Sequence, residues 1–304
     1  AMNGRELWKT DGTASGTEMV KDIVPGTGSS NPYNFAVFNN KLYFSADDDT
    51  NGRELWQSDG TSSGTVMIKD ISGGGSSSSP SSLTVYDNAL YFSAIDSNGL
   101  EFWKSDGTES GTVMIKDIRP GSDSSLISQL TVVGNTLFFR ANDGINGDEL
   151  WKSDGTESGT VMVKDINPGI GSSALEQFAA VGNTLYFSAG DGTNGYELWM
   201  SDGTSTGTVM VMDINVGGAS WPTQMTAFGN SVIFRADDGN SGTELWISDG
   251  TASGTVMLKD INAGSGSSNP VDFTVFGNTV YMIADDGLEW IQNLDFRRNY
   301  RWYR

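Results

Sequence analysis

The chain of 304 residues contains no cysteine and no histidine. It therefore lacks the groups for Ser-His-Asp or Cys-His catalysis, for zinc sites with nitrogen or sulfur ligands, and for a disulfide framework. Basic residues are few: 18 Lys and Arg stand against 38 Asp and Glu, which gives a net charge of -20. This balance argues against nucleic acid as a partner, because phosphate binding needs clustered positive charge.

Long apolar runs are also absent. The longest unbroken run covers only residues 280–284, so we expect no membrane insertion. The first residues do not show a positively charged segment followed by an apolar one, and no signal peptide is visible.

Six copies of one unit fill most of the sequence. In each copy a tryptophan stands three residues before an Asp-Gly-Thr, and the aspartates recur every 47 or 48 residues. These aspartates are Asp11, Asp59, Asp106, Asp154, Asp202 and Asp249. A fixed period of this size indicates a solenoid, a propeller or an array.

One copy shows what the unit builds. Four short runs rich in β-forming residues, at 178–181, 185–189, 196–201 and 208–212, are separated by Gly, Asn and Asp turns. This pattern predicts an antiparallel meander, and four strands per repeat of this length are typical of a propeller blade. We therefore predict an all-β fold: a six-bladed β-propeller of four-stranded antiparallel blades.

The two ends of the repeat are complementary. The chain opens with the third and fourth strands of a blade, at 4–10 and 17–22, and ends with the first and second strands, at 271–276 and 279–285. We expect the N-terminal pair to complete a sheet with the C-terminal pair, which leaves no open edge in the ring. Residues 3–286 would then form a single domain.

The Asp-Gly-Thr turns are predicted to be structural. The Asp accepts backbone hydrogen bonds, the Gly supplies a positive φ, and the Thr adds a hydroxyl bond. The six tryptophans are predicted to pack between neighbouring blades; an aromatic platform for a sugar is the alternative.

The repeated motif carries a resemblance. Glu-Leu-Trp-x-x-Asp-Gly-Thr occurs almost intact at 6–13, 54–61, 149–156, 197–204 and 244–251, with Phe102 replacing Leu in the third copy. Over residues 3 to about 286 the chain resembles the ELWxxDGT repeat family. The resemblance implies a propeller-type interaction module of a large bacterial surface or secreted protein, of the kind called hyalin-like, and hence an extracellular or cell-surface location. It implies no defined activity.

Acidic loops are expected on one face of the ring. Because strand direction alternates, the loops between second and third strands share a face with the blade-to-blade crossovers. These acidic loops are 47–54, 96–101, 142–149, 191–197 and 237–244.

The first acidic loop has an Asp-x-Asp-x-Asn-Gly pattern. Calcium prefers several oxygen ligands on a tight loop that contains Gly, so Asp47, Asp49, Asn51 and Glu54 are candidate Ca²⁺ ligands. The alternative is that Asp, Asn and Gly simply form tight turns here.

Three residues depart from the repeat. Arg140 and Arg235 occupy the place of serines in sibling copies, and Trp221 replaces a small or polar crossover residue. Arg and Trp are residue types that anchor interfaces and sugars, so these three are candidate ligand-binding residues. Drift in a tolerant scaffold is the alternative.

Residues 287–304 do not follow the repeat. This segment contains four Arg and several aromatic residues, and we expect it to contact the face of its own ring or of a neighbouring ring. Ala-Met at the start of the chain and Leu-Glu at the junction resemble restriction-site remnants. The tail would then be a fused or cloning-derived peptide.

Together these features favour a non-enzymatic binding or adhesion module that engages a glycan or a protein on the acidic loop face through repeated weak sites. A structural spacer, or a designed or recently amplified repeat scaffold without a specific ligand, is the alternative. A glycan-active enzyme is less favoured. Glycoside hydrolysis uses a pair of carboxylates at a fixed separation, and nearly every acid here belongs to the repeat.

Overall fold

A computed structural model describes residues 4–288 of the chain. These residues form 24 strands and no helix, so no helix in this part of the chain could cross a membrane. The strands make five four-stranded sheets and two two-stranded sheets. The all-β prediction of repeated four-stranded antiparallel sheets is therefore confirmed. The predicted tail lies, from residue 289 onward, outside the described residues.

The strands are numbered in chain order, and within each four-stranded sheet they follow one another in that order. The first strands are β3 (Tyr33–Phe38), β7 (Ser81–Tyr86), β11 (Ser128–Val133), β15 (Glu176–Val181), β19 (Thr223–Phe228) and β23 (Val271–Phe276). The second strands are β4 (Lys41–Asp47), β8 (Ala89–Asp96), β12 (Thr136–Asn142), β16 (Thr184–Gly190), β20 (Ser231–Asp237) and β24 (Thr279–Ile283). The third strands are β1 (Leu7–Lys9), β5 (Arg53–Ser58), β9 (Gly99–Ser105), β13 (Asp148–Ser153), β17 (Tyr196–Ser201) and β21 (Thr243–Ser248). The fourth strands are β2 (Glu18–Lys21), β6 (Val66–Lys69), β10 (Val113–Lys116), β14 (Val161–Lys164), β18 (Val209–Met212) and β22 (Val256–Lys259).

First and second strands are joined by two-residue turns. In the β3–β4 hairpin both turn residues, Asn39 and Asn40, have positive φ (47° and 58°). Positive φ at both positions matches the twist of the flanking strands, and Asn tolerates it well. The second strands carry much of the core: Phe44 on β4 and Phe187 on β16 are fully buried.

Third and fourth strands are joined by the Asp-Gly-Thr turn. In the β5–β6 turn, the N–H and the hydroxyl of Thr61 donate to Asp59 Oδ1 at 2.9 and 2.7 Å, while Thr61 Oγ1 accepts the N–H of Gly64 at 2.9 Å. Gly60 has a φ of +87°. The other five copies make the same three bonds, which confirms the structural role predicted for this turn.

Contacts divide the described residues into two compact units. One contains residues 4–130, 139–144 and 153–161, and the other contains 131–138, 145–152 and 162–288. In the first unit, Trp56 packs in a core cluster with Leu7 and Ile23 of the preceding hairpin. In the second unit, Trp246 packs in the same way with Val211 and Ile214, which belong to the preceding sheet or follow its last strand.

The terminal hairpins β1–β2 and β23–β24 are each a two-stranded sheet. Their strands lie where the sequence predicts them, but as two separate sheets rather than one. The closed six-bladed ring therefore stays a prediction. Trp8 on β1 is 57% exposed, whereas its five counterparts in later repeats are 5–6% exposed.

Candidate functional site

A buried glutamate organises each repeat. Glu197 on β17 accepts the N–H of Ile214 at 2.9 Å, the N–H of Ser220 at 2.8 Å and the hydroxyl of Ser220 at 2.6 Å. Ile214 follows β18, and Ser220 lies in the crossover to β19. One carboxylate thus ties the third strand to the end of the fourth strand and to the crossover. A buried carboxylate needs donors of this kind to offset its lost hydration.

A closely related arrangement recurs in all six repeats, and we call it the glutamate latch. Two copies differ in one bond: the Ser125 hydroxyl donates to the carbonyl of Leu100, and the N–H of Ser173 donates to the carbonyl of Asp148. In each copy the carboxylate accepts the N–H of the residue 17 positions later, and the glutamates are at most 7% exposed. The latch glutamates are Glu6, Glu54, Glu101, Glu149, Glu197 and Glu244. The latch serines are Ser30, Ser78, Ser125, Ser173, Ser220 and Ser268.

Burial raises the pKa of four latch glutamates, Glu54, Glu101, Glu149 and Glu197. It raises the pKa of Glu101 to about 7, against the N–H groups of Ile118 and Ser125, which favour the carboxylate. It likewise raises the pKa of Glu149 to about 7, with the neighbouring charge of Asp165 adding to the effect. The latch glutamates are buried and hydrogen-bonded to their own backbone, so they belong to the framework of the repeat.

The loop with the calcium-like pattern is held by a residue that the pattern did not single out. Asp48 Oδ1 accepts the N–H groups of Thr50 and Asn51 at 3.0 and 2.7 Å, and its Oδ2 accepts the side-chain amide of Asn51 at 2.8 Å. Partial burial opposes ionisation of Asp48, but these bonds outweigh it and lower its pKa. Asp49 is exposed with a φ of +62°.

Of the four candidate calcium ligands, Glu54 is fully buried and bound to Ile71 and Ser78 as a latch glutamate. Asp47 Oδ1 accepts the N–H of Asp49 at 2.9 Å. Within residues 4–288, no three acidic side chains lie close enough together to hold a metal ion. Calcium binding stays a prediction, and it falls on the side chains of Asp47, Asp49 and Asn51.

The two arginines that depart from the repeat are partly buried in second strands. Arg235 on β20 lies opposite Leu245 of β21, and its Nε donates to the hydroxyl of Thr223 at 2.7 Å. Arg140 takes the equivalent place on β12. Both arginines are therefore half-buried rather than free on the surface.

The residue after each latch serine has a constant backbone and a changing side chain. We call this place the crossover position; its φ lies between +43° and +55° in all six copies. The crossover residues are Asn31, Ser79, Leu126, Ala174, Trp221 and Asn269. Many proteins present binding residues in this way, on loops whose side chains vary while a rigid scaffold fixes their position.

Trp221 stands out at the crossover position. Its ring stacks on that of Tyr196, with centroids 4.3 Å apart and planes inclined by 19°, and Trp221 remains 58% exposed. The backbone N–H of Trp221 donates to the backbone carbonyl of Tyr196 at 3.1 Å. Sequence reasoning missed Tyr196; its signal was an aromatic residue in place of Arg5 and Arg53 directly before the latch glutamate.

Lysines bridge neighbouring repeats. Lys164 Nζ donates to the carbonyl of Thr208 at 2.8 Å and lies 5.8 Å from the centre of the Trp199 ring. In the next repeat Met212 takes the place of Lys164, and this side chain packs against the apolar cluster around Trp246. One repeat thus replaces a charged bridge with an apolar contact.

No family model matches the chain, and no curated protein matches it. Among solved structures it is similar to a prolyl endopeptidase, with a TM-score of 0.52 at 10% identity over 83% of this chain and 39% of that one. It is also similar to the computationally designed Ika8 protein (TM-score 0.48, 18% identity, 90% and 73% covered). A further similarity is to the β-propeller domain of the Trilobed protease from Pyrococcus furiosus (TM-score 0.44, 12% identity, 84% and 78% covered).

These similarities concern the fold alone. The chain spans about two-fifths of the endopeptidase, and the other two TM-scores are too low to support an inference about this protein. The residues themselves must therefore indicate the function.

Proposed function

We propose that the chain is a closed six-bladed β-propeller that serves as a non-enzymatic binding module. The observation that supports binding is the crossover position: one backbone conformation, directly after a latch serine in every repeat, presents six side chains, from Asn to Trp. A spacer would have no use for an exposed Trp221 at a backbone conformation that suits Asn better.

Ring closure would come from β24 pairing with β1. In a complete sheet the second strand pairs with the third so that Phe44 lies opposite Trp56. The same alignment places Met282 opposite Trp8. Pairing there would bring the exposed Trp8 into the environment of its buried counterparts.

A groove along β1 supports this closure. It has a volume of about 420 Å³ and is lined by residues 5–8 of the first hairpin together with residues 31–33 and 35. An unpaired edge beside an apolar groove is a site that a further strand readily fills. Among residues 4–288, β24 is the second strand whose sheet has no third strand.

The carboxylates support binding rather than catalysis. Catalytic pairs need carboxyl groups that face a substrate, whereas the latch glutamates face their own backbone and the Asp-Gly-Thr aspartates accept bonds from their own turns. The resemblance to ELWxxDGT repeats supports an extracellular or cell-surface setting. There, several weak sites on one ring would engage a glycan or a protein together.

Four substitutions test this proposal. Because Asn31 and Asn269 are already present, the changes S79N, L126N, A174N and W221N make all six crossover residues Asn without altering a latch residue. Wild type and this all-Asn variant would be passed over surfaces coated with an α-glucan, a β-glucan, an acidic polysaccharide and a matrix protein. We expect at least one surface to retain wild type and to release the variant.

The folded state of the variant is checked by circular dichroism and by its melting temperature. Equal retention of both chains would refute recognition through the crossover residues. Retention of neither chain on any surface would favour the spacer interpretation over the binding module.

A further inference from the structure

Two tryptophans among residues 4–288 are strongly exposed, Trp8 and Trp221. The first lies on the edge strand β1, where the proposed closure would cover it. The second lies in the crossover between β18 and β19, outside the strands that the proposed closure would pair. Trp221 is therefore the strongly exposed tryptophan that the proposed closure does not explain.

The fold gains nothing evident from tryptophan at this place. The crossover position has φ of +49° at Trp221, in the left-handed region that is unfavourable for bulky residues, and sibling repeats place Asn there at +43°. With 58% of its surface exposed, Trp221 contributes little to a core. A strained, exposed aromatic residue is a reason to look for a binding role.

Tyr196 fixes the orientation of the indole. The two rings lie nearly parallel at 4.3 Å, so Tyr196 covers one face of the indole, and Trp221 is still 58% exposed. A ring pair of this kind is a rigid, flat platform with few rotatable bonds, which lowers the entropy lost on binding.

We propose that Tyr196 and Trp221 form a carbohydrate subsite that stacks against the apolar face of a neutral hexopyranose unit. The proposal rests on the proposed binding function and specifies the ligand of one crossover position. The face of an aromatic ring carries partial negative charge, so it attracts the polarised C–H groups of a pyranose ring. The indole N–H and the phenol hydroxyl are hydrogen-bonding groups at the edge of the platform.

The charge of the chain selects the class of sugar. A net charge of -20 repels phosphorylated and carboxylated glycans over a Debye length. A neutral glycan avoids this repulsion. Because one platform offers a small contact area, we expect a dissociation constant of about 1 mM for a short oligosaccharide, with tighter binding only on a polymer.

The test follows the indole N–H signals of the nine tryptophans in a chain labelled with ¹⁵N at the indole nitrogen. W221N identifies the signal of Trp221 by its loss. The probes are cellohexaose and maltohexaose, each titrated to about 20 mM. We expect at least one of them to shift the Trp221 signal with saturation and to leave the signals of the five buried tryptophans in place.

Matched variants separate recognition from folding. Leu126 has the same left-handed backbone conformation (φ +55°), and Asn tolerates it better than Leu does. L126N should therefore raise the melting temperature, as W221N does. Because L126N removes no aromatic ring, it should leave the sugar titration unchanged. Y196T, which copies Thr243 of the next repeat, should weaken binding about tenfold because the indole is no longer held in place.

Two results would overturn the subsite: a Trp221 signal that neither sugar shifts, or a Y196T variant that binds the sugar as well as wild type does. Tetramethylammonium is titrated as a cationic probe. Saturation of the Trp221 shift by this cation and not by sugar would also overturn the subsite, because it would indicate a cationic ligand. The proposed function has a separate test. If Trp221 stays unshifted while a surface still retains wild type and releases the all-Asn variant, the subsite is wrong and the binding module stands.

Discussion

Removing one latch glutamate should destabilise the protein strongly. In E197A the N–H groups of Ile214 and Ser220 and the hydroxyl of Ser220 lose their acceptor. The carboxylate is fully buried, and each orphaned buried donor costs about 1–2 kcal/mol. The three together amount to about 4 kcal/mol, which at roughly 2–4 °C per kcal/mol lowers the melting temperature by about 8–16 °C.

Two further variants calibrate this effect. S220A removes only the hydroxyl donor and should cost about 1 kcal/mol, since both N–H bonds to Glu197 remain. E157A removes an exposed glutamate from an Asp-Gly-Thr turn and should stay within about 0.5 kcal/mol of wild type. Thermal melts and urea titrations should show the largest loss of stability in E197A, a smaller loss in S220A and the smallest in E157A. If E197A melts within about 3 °C of E157A, the latch does not stabilise the repeat as argued.

The remaining predictions concern pH, the lysine bridges and calcium. Burial raises the pKa of Glu101 and Glu149 from 4.5 to about 7, so between these pH values the folded chain binds more protons than the unfolded chain. The free energy of unfolding should therefore fall as pH rises from about 4.5 to 7. Urea midpoints should be higher at pH 5 than at pH 7.5. K164M should destabilise the chain by about 1 kcal/mol, because it removes the bridge from Lys164 to the carbonyl of Thr208. Equal urea midpoints of K164M and the unchanged chain would contradict this. If calcium binds the loop at 47–54, melts in excess calcium should lie above melts in chelator, and superimposed melts would remove that prediction.

Most of the strands could be predicted because their signals are local. Turn residues and β-forming runs within one repeat predict strands at 271–276 and 196–201. The structure has β23 at Val271–Phe276 and β17 at Tyr196–Ser201. The Asp-Gly-Thr bonds could also be predicted, since Asp59 and Thr61 are two residues apart. What is encoded within a few residues can be read from the sequence.

The latch could not be predicted, because its bonds join residues 17 and 24 positions apart. Glu54 belongs to a repeated motif, but nothing local distinguishes a buried glutamate from a loop ligand, so the sequence predicts it as a calcium ligand while the structure buries it. The recurrence of Ser78 at a fixed distance was the available signal. The stack of Tyr196 on Trp221 could not be predicted for the same reason: it joins a residue of β17 to a crossover residue 25 positions later.

The closed ring is the central claim of this account, and an engineered disulfide tests it most directly. The proposed register of β24 on β1 places Tyr281 opposite Lys9, and directly paired residues have Cα atoms about 4.5–5.5 Å apart, within the range of a disulfide. The chain has no cysteine, so the double variant K9C/Y281C contains one possible disulfide bond. V280C in place of Y281C is the control, because a slip of one residue points the two side chains to opposite faces.

Oxidised K9C/Y281C is then compared with its reduced form on a denaturing gel and by mass. The account predicts a monomer of altered mobility, two fewer hydrogens, and a raised melting temperature, with little bond formation in K9C/V280C. Free thiols in K9C/Y281C after mild oxidation, or bonds that form only between two chains, would contradict the closed ring.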